Sequence, residues 1–212
     1  MPRISRQEFE QLPLRVHNLL AGVPLHDVWA IDLSRVRPGI TLNEFLNIET
    51  TRPFGCSPVV RALVTIRLAL GSTFRWDREP AANAWETFAS RMTSADRLRT
   101  LAPPGSREGM FRVVYRFENE QLLEVINRTA HAGALSALVE TASSYRYYFG
   151  VYVCNVNRFT PVYMALIDPF RKLIVYPSIL RMIRERWNET FCTSLTSERP
   201  TSPSNTAPRT RN

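Results

Sequence analysis

The chain has 212 residues, of which 44% are hydrophobic, and its formal net charge is +8 at pH 7. This apolar share suffices for one globular core and excludes a wholly disordered chain. The 27 Lys and Arg residues are scattered rather than clustered, which argues against a nucleic-acid interface. Apolar runs fall short of the about 20 residues that cross a bilayer.

The cysteines and the chain ends predict the compartment and the domain limits. Cys56, Cys154 and Cys192 are odd in number and widely separated, which excludes a fully paired disulfide framework and a C-x-x-C zinc pair. The N-terminus lacks the apolar segment of a signal peptide, so we expect a cytoplasmic protein. We expect an N-terminal lead-in over 1–24, one α+β domain over 25–191, and a disordered tail rich in Ser, Thr, Pro and Arg over 192–212.

Short helices and one strand are expected in the first half of the chain. Capping-box spacing, in which Ser or Thr precedes Glu by three positions, occurs at Ser5 with Glu8 and at Thr41 with Glu44. A run of β-branched and aromatic residues predicts a strand. The expected elements are a helix over 5–12, a strand over 26–33, a helix over 41–48, an amphipathic helix over 59–71 and a helical segment over 84–92.

The second half predicts antiparallel strands followed by a long helix. Apolar and polar residues alternate with a period of two, which is typical of half-buried strands. Helical spacing of apolar residues predicts a C-terminal helix over 159–191. Pro161, Pro169 and Pro177 are expected to start or kink it, with Asp168 as the N-cap before Pro169. The predicted strands cover 110–118, 122–131, 134–141 and 145–156.

This order of elements predicts an α+β fold of the helix-grip type. A curved antiparallel sheet would pack on the long, Pro-kinked C-terminal helix, because each has one apolar face that the other can cover. If the sheet curls, the space between sheet and helix becomes a pocket.

A resemblance to a known family is carried by four segments, which are 25–29, 111–117, 127–131 and 163–171. The chain resembles the bacterial domain-of-unknown-function family 2867 over roughly residues 20 to 190. The resemblance implies a topology similar to the helix-grip superfamily (START and polyketide-cyclase-like, or SRPBCC), whose members bind lipids and other hydrophobic molecules. It also implies a partner similar to NAD(P)-binding short-chain dehydrogenases or epimerases, and no established activity.

The end of the second hairpin strand is the first candidate site. Alternation would place Asn127, Thr129 and His131 on one face with Leu123 and Val125, so that an apolar face ends in polar groups. His131 could then act as a general base or a hydrogen-bond partner near neutral pH. The alternative is a strand end that emerges into solvent.

The opposite face of that strand carries Glu124 and Arg128. Cross-strand partners among Arg112, Arg116 and Arg146 would either hold the acid in a cavity or form an exposed ladder of charges, and the ladder is favoured. Hairpin register decides between the two.

Other polar residues predict structural roles. His26 and Asp27 are adjacent on a strand and should point to opposite faces, which argues against a direct dyad. Asp168 is explained by helix capping rather than by catalysis. The three histidines are far apart, so no metal site is expected, and the glycine-rich motifs of nucleotide cofactors are missing, so no cofactor is expected.

Aromatic residues with polar tips could line a ligand cavity, with core packing as the alternative. Tyr115 and Tyr147 are the ligand-contact candidates. The wider aromatic set also includes Tyr145, Tyr148, Tyr152 and Trp187.

Three functions follow from these patterns. The leading hypothesis is a module that binds a hydrophobic or amphipathic small molecule between sheet and C-terminal helix. The second is an enzyme of cyclase or hydrolase type that uses His131 with Asn127 or Tyr115. The third is a peripheral membrane or protein-interaction module that uses the basic, amphipathic final helix and is accessory to a dehydrogenase- or epimerase-like protein.

Overall fold

The computed structural model of the chain describes residues 4–50, 65, 86–127, 131–158 and 160–192. Within these ranges the fold is built on a six-stranded antiparallel sheet with the order β1-β6-β5-β4-β3-β2. The α+β class and the antiparallel sheet are thereby confirmed. The strands are β1 (Leu25–Ser34), β2 (Arg107–Glu108), β3 (Phe111–Arg116), β4 (Glu120–Ile126), β5 (His131–Glu140) and β6 (Ser144–Cys154).

Helices precede, interrupt and follow the strands. The early ones are short, and a nearly continuous helical segment closes the described chain. In chain order they are α1 (Arg6–Glu10), α2 (Val16–Leu19), α3 (Leu42–Thr50), a 3₁₀ helix (Phe88–Arg91), α4 (Ser94–Arg99), α5 (Thr160–Phe170), a π-turn (Arg171–Val175), α6 (Tyr176–Trp187) and a second π-turn (Asn188–Cys192).

Both predicted N-caps are confirmed. The Ser5 hydroxyl accepts a hydrogen bond from the backbone N–H of Glu8 at 3.1 Å, and Thr41 Oγ1 accepts one from Glu44 N–H at 3.0 Å. The helix expected over 59–71 and the tail after residue 192 lie outside the described residues, apart from Thr65, which is helical.

The prediction of one strand over 122–131 is wrong. The strand β4 ends at Ile126, and His131 begins β5, where its Cα pairs with that of Ile126 across the ladder. The chain therefore reverses between these two residues. Asn127 lies at the reversal, and asparagine favours turns because its side chain can bond to nearby backbone groups.

Both faces of the sheet are covered. One face, which we call the N-terminal face because α1 and α2 cover it, packs strand residues such as Leu122 against Phe9 of α1 and Phe88 of the 3₁₀ helix. The other face, which we call the C-terminal face because α6 covers it, packs a second set of strand residues against Phe45 of α3 and Trp187 of α6. Helices therefore lie on both sides of the sheet, and α6 is one of several helices that cover it.

The C-terminal helix runs through its second proline. Pro169 lies inside α5, so the prediction that Asp168 caps a helix starting there is wrong. Pro177 lies in the first turn of α6, directly after the π-turn, which agrees with a change in helix geometry at that proline. Pro161 lies in the first turn of α5, as expected.

Candidate functional site

A β-bulge in β1 brings two polar side chains together at the sheet edge. Leu25 pairs with Tyr152 and Asp27 pairs with Val151, so His26 is an extra residue in the ladder. The bulge disrupts the alternation of side chains, and Nε2 of His26 lies 3.6 Å from Oδ2 of Asp27. The prediction that these two residues point apart is therefore wrong.

The helix α5 supplies a second carboxylate to this place. Nε2 of His26 lies 2.9 Å from Oδ1 and 3.0 Å from Oδ2 of Asp168. The Lys172 ammonium donates to Oδ2 of Asp168 at 2.8 Å and lies 3.8 Å from Oδ2 of Asp27. Arg171 Nη1 lies 3.4 Å from Oδ1 of Asp168. We call these five residues the His26 cluster.

The π-turn positions the two cations of the His26 cluster. Arg171 and Lys172 follow Asp168 by three and four residues, which places all three on one side of the helix. Arg171 also donates to the hydroxyl of Tyr176, and its guanidinium lies 5.2 Å from that ring's centroid. Burial raises the pKa of Tyr176 to about 12 despite the neighbouring Arg171, so its hydroxyl stays neutral.

The donor atoms of His26, Asp27 and Asp168 lie within 4.8 Å of one another, a set of ligands that suits a divalent cation. However, the Lys172 ammonium already lies within hydrogen-bonding distance of Asp168, and two carboxylates face two cationic side chains. We therefore interpret the cluster as a charge-balanced ionic network that fastens the C-terminal helix to β1.

The contacts of the His26 cluster lower the pKa of Asp168. Burial of the carboxyl opposes ionisation, but hydrogen bonds from Lys172 and His26 outweigh it and lower the pKa below its ordinary value of 3.8. A lowered folded-state pKa adds stability above the unfolded pKa, and this contribution is lost as pH falls through the folded pKa.

We expect Asp168→Asn to remove part of the acid dependence of stability. The free energy of unfolding, measured by urea titration at several pH values below about 5, should fall less steeply with decreasing pH in the variant. Parallel pH profiles for the two proteins would show that the carboxylate is not held in ionised form by its neighbours.

His131 is buried on the N-terminal face rather than open at a strand end. Its ring stacks on Phe88 at 3.9 Å between centroids, and its Nε2 lies 3.2 Å from Oε2 of Glu124. Glu124 is 1% exposed and also accepts a hydrogen bond from Phe88 N–H at 2.8 Å. The expectation of an exposed charge ladder at Glu124 is therefore wrong, because the carboxylate turns into the core to satisfy a backbone donor.

Two of the three arginines that the sequence suggested as partners of Glu124 pair with other acids, and the third lies opposite Glu124 on β3. Arg116 pairs with Glu108 at 2.5 Å, and Arg146 lies 3.2 Å from Glu8. Arg112 is opposite Glu124 in the backbone register.

The two candidate tyrosines lie on different faces of the sheet. Tyr115 donates to the buried carboxylate of Glu120 and lines a cavity of about 370 Å³ on the N-terminal face. Tyr147 lies on the C-terminal face and donates to Ser136 Oγ at 2.8 Å, and burial raises its pKa to about 12. They therefore do not share one pocket.

Asn127 is buried at the end of β4, and Thr129 lies outside the described residues. The ligand-binding role of Asn127, Thr129, His131, Tyr115 and Tyr147 stays a prediction.

The helix α5 carries apolar side chains on both of its sides. Met164 and Ile167 pack on the sheet side, where Asp168, the one charged residue of α5, contacts His26. Large apolar side chains are exposed along α5 and into the following π-turn, at intervals of four, four and three residues. They are Val162 (61% exposed), Leu166 (68%), Phe170 (50%) and Leu173 (76%), which we call the α5 stripe.

A family model described as "Protein of unknown function (DUF2867)" matches residues 19–178. That range contains the His26 cluster and the α5 stripe. No curated protein and no solved structure matches the chain. None of the helices in the described ranges is long and apolar enough to cross a membrane.

Proposed function

We propose that this chain, which belongs to the family of proteins of unknown function DUF2867, is a protein-interaction module that binds its partner on the α5 stripe. The observation that carries the proposal is the exposure of four large apolar side chains in the α5 stripe. An ordinary surface helix turns its apolar side to the core and its charges to water. Here the His26 cluster holds Asp168 against the sheet, and the α5 stripe lies in water.

The surface differs from the one that the sequence predicted for an interaction module. Leu180 and Trp187 of α6 are buried against the sheet, so they are unavailable to a partner. Leu173 is exposed and ends the α5 stripe. The stripe spans 11 residue steps, or about 16 Å of helix. Contiguous exposed apolar side chains are typical of interaction sites.

Charge decides which partner fits. Arg158 precedes α5, Arg181 and Arg184 follow the stripe on α6, and all three are exposed. Glu185 is the exposed acid of α6, so these exposed side chains carry a net positive charge. We therefore propose a protein surface that is apolar at its centre and carries Asp or Glu at its rim. A second copy of this chain would bring the arginines of both copies together, which is unfavourable.

The test places a photoreactive benzoylphenylalanine at position 166 of the full chain in the cells that produce it. A matched control carries the same group at Leu98, which is 88% exposed and lies on α4. We expect a protein to be captured from position 166 and not from 98. Its complex, rebuilt from purified proteins, should be lost in Leu166→Ser, kept in Leu98→Ser and weakened by salt.

Other results would overturn the proposal. A crosslinked homodimer that matches a dimer in sedimentation would make the occupant a second copy. Flotation with anionic vesicles that depends on Leu166 would make it a membrane surface. A crosslink within one chain to residues 51–85 would mean that the chain covers its own stripe.

The remaining functions that the sequence suggests have less support. Trp187 and Leu180 fill the space between α6 and the sheet, where a ligand was expected. His131 is 4% exposed, so a substrate would need access through a well-packed region. A dehydrogenase- or epimerase-like partner stays a prediction, and the crosslinking experiment would identify it.

A further inference from the structure

A cavity of about 520 Å³ lies where the N-terminal helices meet the sheet edge, on the N-terminal face. It is lined by Arg6 and Glu10 of α1, His17 of α2, the turn that leads into β1, and Tyr152 of β6. We propose that this cavity binds a small amphipathic carboxylate. The site is separate from the α5 stripe and does not depend on the function proposed above.

The size of the cavity suits a small molecule, and its walls expose polar and apolar groups in about equal measure. Small-molecule sites have volumes of about 300–1,000 Å³ and are lined mainly by apolar groups. Leu20 and Val23 line this cavity and belong to the buried core, and Leu25 packs against that core. These side chains are therefore held in place before a ligand enters, which reduces the entropic cost of binding.

A polar group in the cavity wall has an unused hydrogen-bonding atom. Nε2 of His17 is buried and makes no hydrogen bond with the described residues. The ring is held by an edge contact with Phe9, at 5.0 Å between centroids. A buried nitrogen without a partner is costly, and a small rotation of the ring that brings Nε2 to a ligand oxygen would recover that cost.

Arg6 is the cation of the cavity lining with which a carboxylate head group would pair. Arg6 and Glu10 are 3.9 Å apart, and both side chains are more than half exposed. Such an exposed ion pair is weak, so a ligand carboxylate can displace Glu10 from the guanidinium. Tyr152 keeps its proton, because burial and the nearby Glu120 and Glu10 raise its pKa, and it can donate to the ligand.

The probe for the test is decanoate, titrated into the ¹⁵N-labelled full chain and followed by amide chemical shifts. We expect saturable shifts at residues 17–25 and at Tyr152. Arg6→Gln should weaken binding about three- to tenfold, the loss of a charge-assisted hydrogen bond at an exposed site. Glu10→Gln should tighten binding, because it removes the competing carboxylate.

Two controls separate this site from other apolar surfaces. Decyltrimethylammonium has the same alkyl chain with a cationic head group and should bind more weakly than decanoate. Leu166→Ser disrupts the α5 stripe and should leave the decanoate shifts unchanged. Ala21→Trp places a large side chain at the cavity wall and should abolish them.

Several outcomes would overturn the inference. These are shifts confined to residues 162–173, equal affinity for the cationic amphiphile, an Arg6→Gln variant that binds as well as the parent, and no shifts at all. The docking proposal would survive each of them, because its own test depends on the α5 stripe.

Discussion

Replacing Trp187 with alanine is expected to lower the free energy of unfolding by about 3–5 kcal/mol, the range for large aromatic side chains removed from a core. Trp187 is fully buried, and its indole N–H donates to the Ser34 carbonyl at 2.9 Å. Its ring lies 4.7–5.5 Å from those of Phe45, Tyr145 and Phe191. The variant would leave a cavity and an unpaired carbonyl where α3, α6 and the sheet meet.

Urea unfolding followed by far-ultraviolet circular dichroism measures this loss. The control is Leu173→Ala in the same C-terminal segment, at a side chain that is 76% exposed. We expect it to change stability by about 0.5 kcal/mol or less. A Trp187→Ala loss below about 1 kcal/mol would contradict the packing of α6 described here.

The sequence predicted most of the secondary structure because the signals are local. Alternation with a period of two identified β3 and β6 to within two residues at their ends, and capping-box spacing found the starts of α1 and α3. The break between β4 and β5 was missed because the alternating pattern continues across it. The turn is marked only by Asn127 and its polar neighbours.

The candidate site was missed because it depends on contacts between distant residues. His26 and Asp168 are 142 residues apart, and the bulge that aligns His26 with Asp27 leaves no mark in a strand pattern. Asp168 before Pro169 has the local pattern of a helix start. The ionic contacts of Asp168 with His26 and Lys172 outweigh that local preference, as tertiary contacts commonly do.

The direction in which α5 faces was also beyond sequence analysis. The sequence shows two sets of apolar residues at helical spacing in α5, one with Leu166 and one with Met164, and a single charged residue, Asp168. The general rule would turn Leu166 and Phe170 inward and Asp168 outward. The structure has the reverse orientation, since the partners of Asp168 lie on β1 and in the π-turn.

Two buried carboxylates on β4 show a related limit of pattern analysis. Glu120 and Glu124 are four residues apart and lie on the same face of the sheet. Glu120 accepts hydrogen bonds from Arg15 N–H at 2.8 Å and Val16 N–H at 2.9 Å, and Glu124 accepts one from Phe88 N–H. Each carboxylate therefore fastens the first turn of a peripheral helix to the sheet, where helix amides lack partners.

We expect Glu120→Ala to lower the free energy of unfolding by about 3–5 kcal/mol. The carboxylate is buried and also accepts from the Tyr115 hydroxyl, so the variant leaves three donors unsatisfied. Hydrogen bonds to charged groups contribute about 1.5–3 kcal/mol each, and their sum is less than additive. Glu120→Gln keeps one acceptor oxygen and should lose roughly half as much.

Urea unfolding gives the stability change, and amide hydrogen exchange locates it. Relative to the parent protein, Glu120→Ala should increase the exchange rate more at the amides of Arg15 and Val16 than at those of β5, because the contact that holds α2 to the sheet is lost. The control is Glu140→Ala at an exposed acid that bonds Arg35 at 2.8 Å, where a change below about 1 kcal/mol is expected. If the Glu120 and Glu140 variants lost the same stability, burial would not be what makes the β4 carboxylate important. An unchanged exchange rate at the Val16 amide would contradict the prediction that Glu120 holds α2 to the sheet.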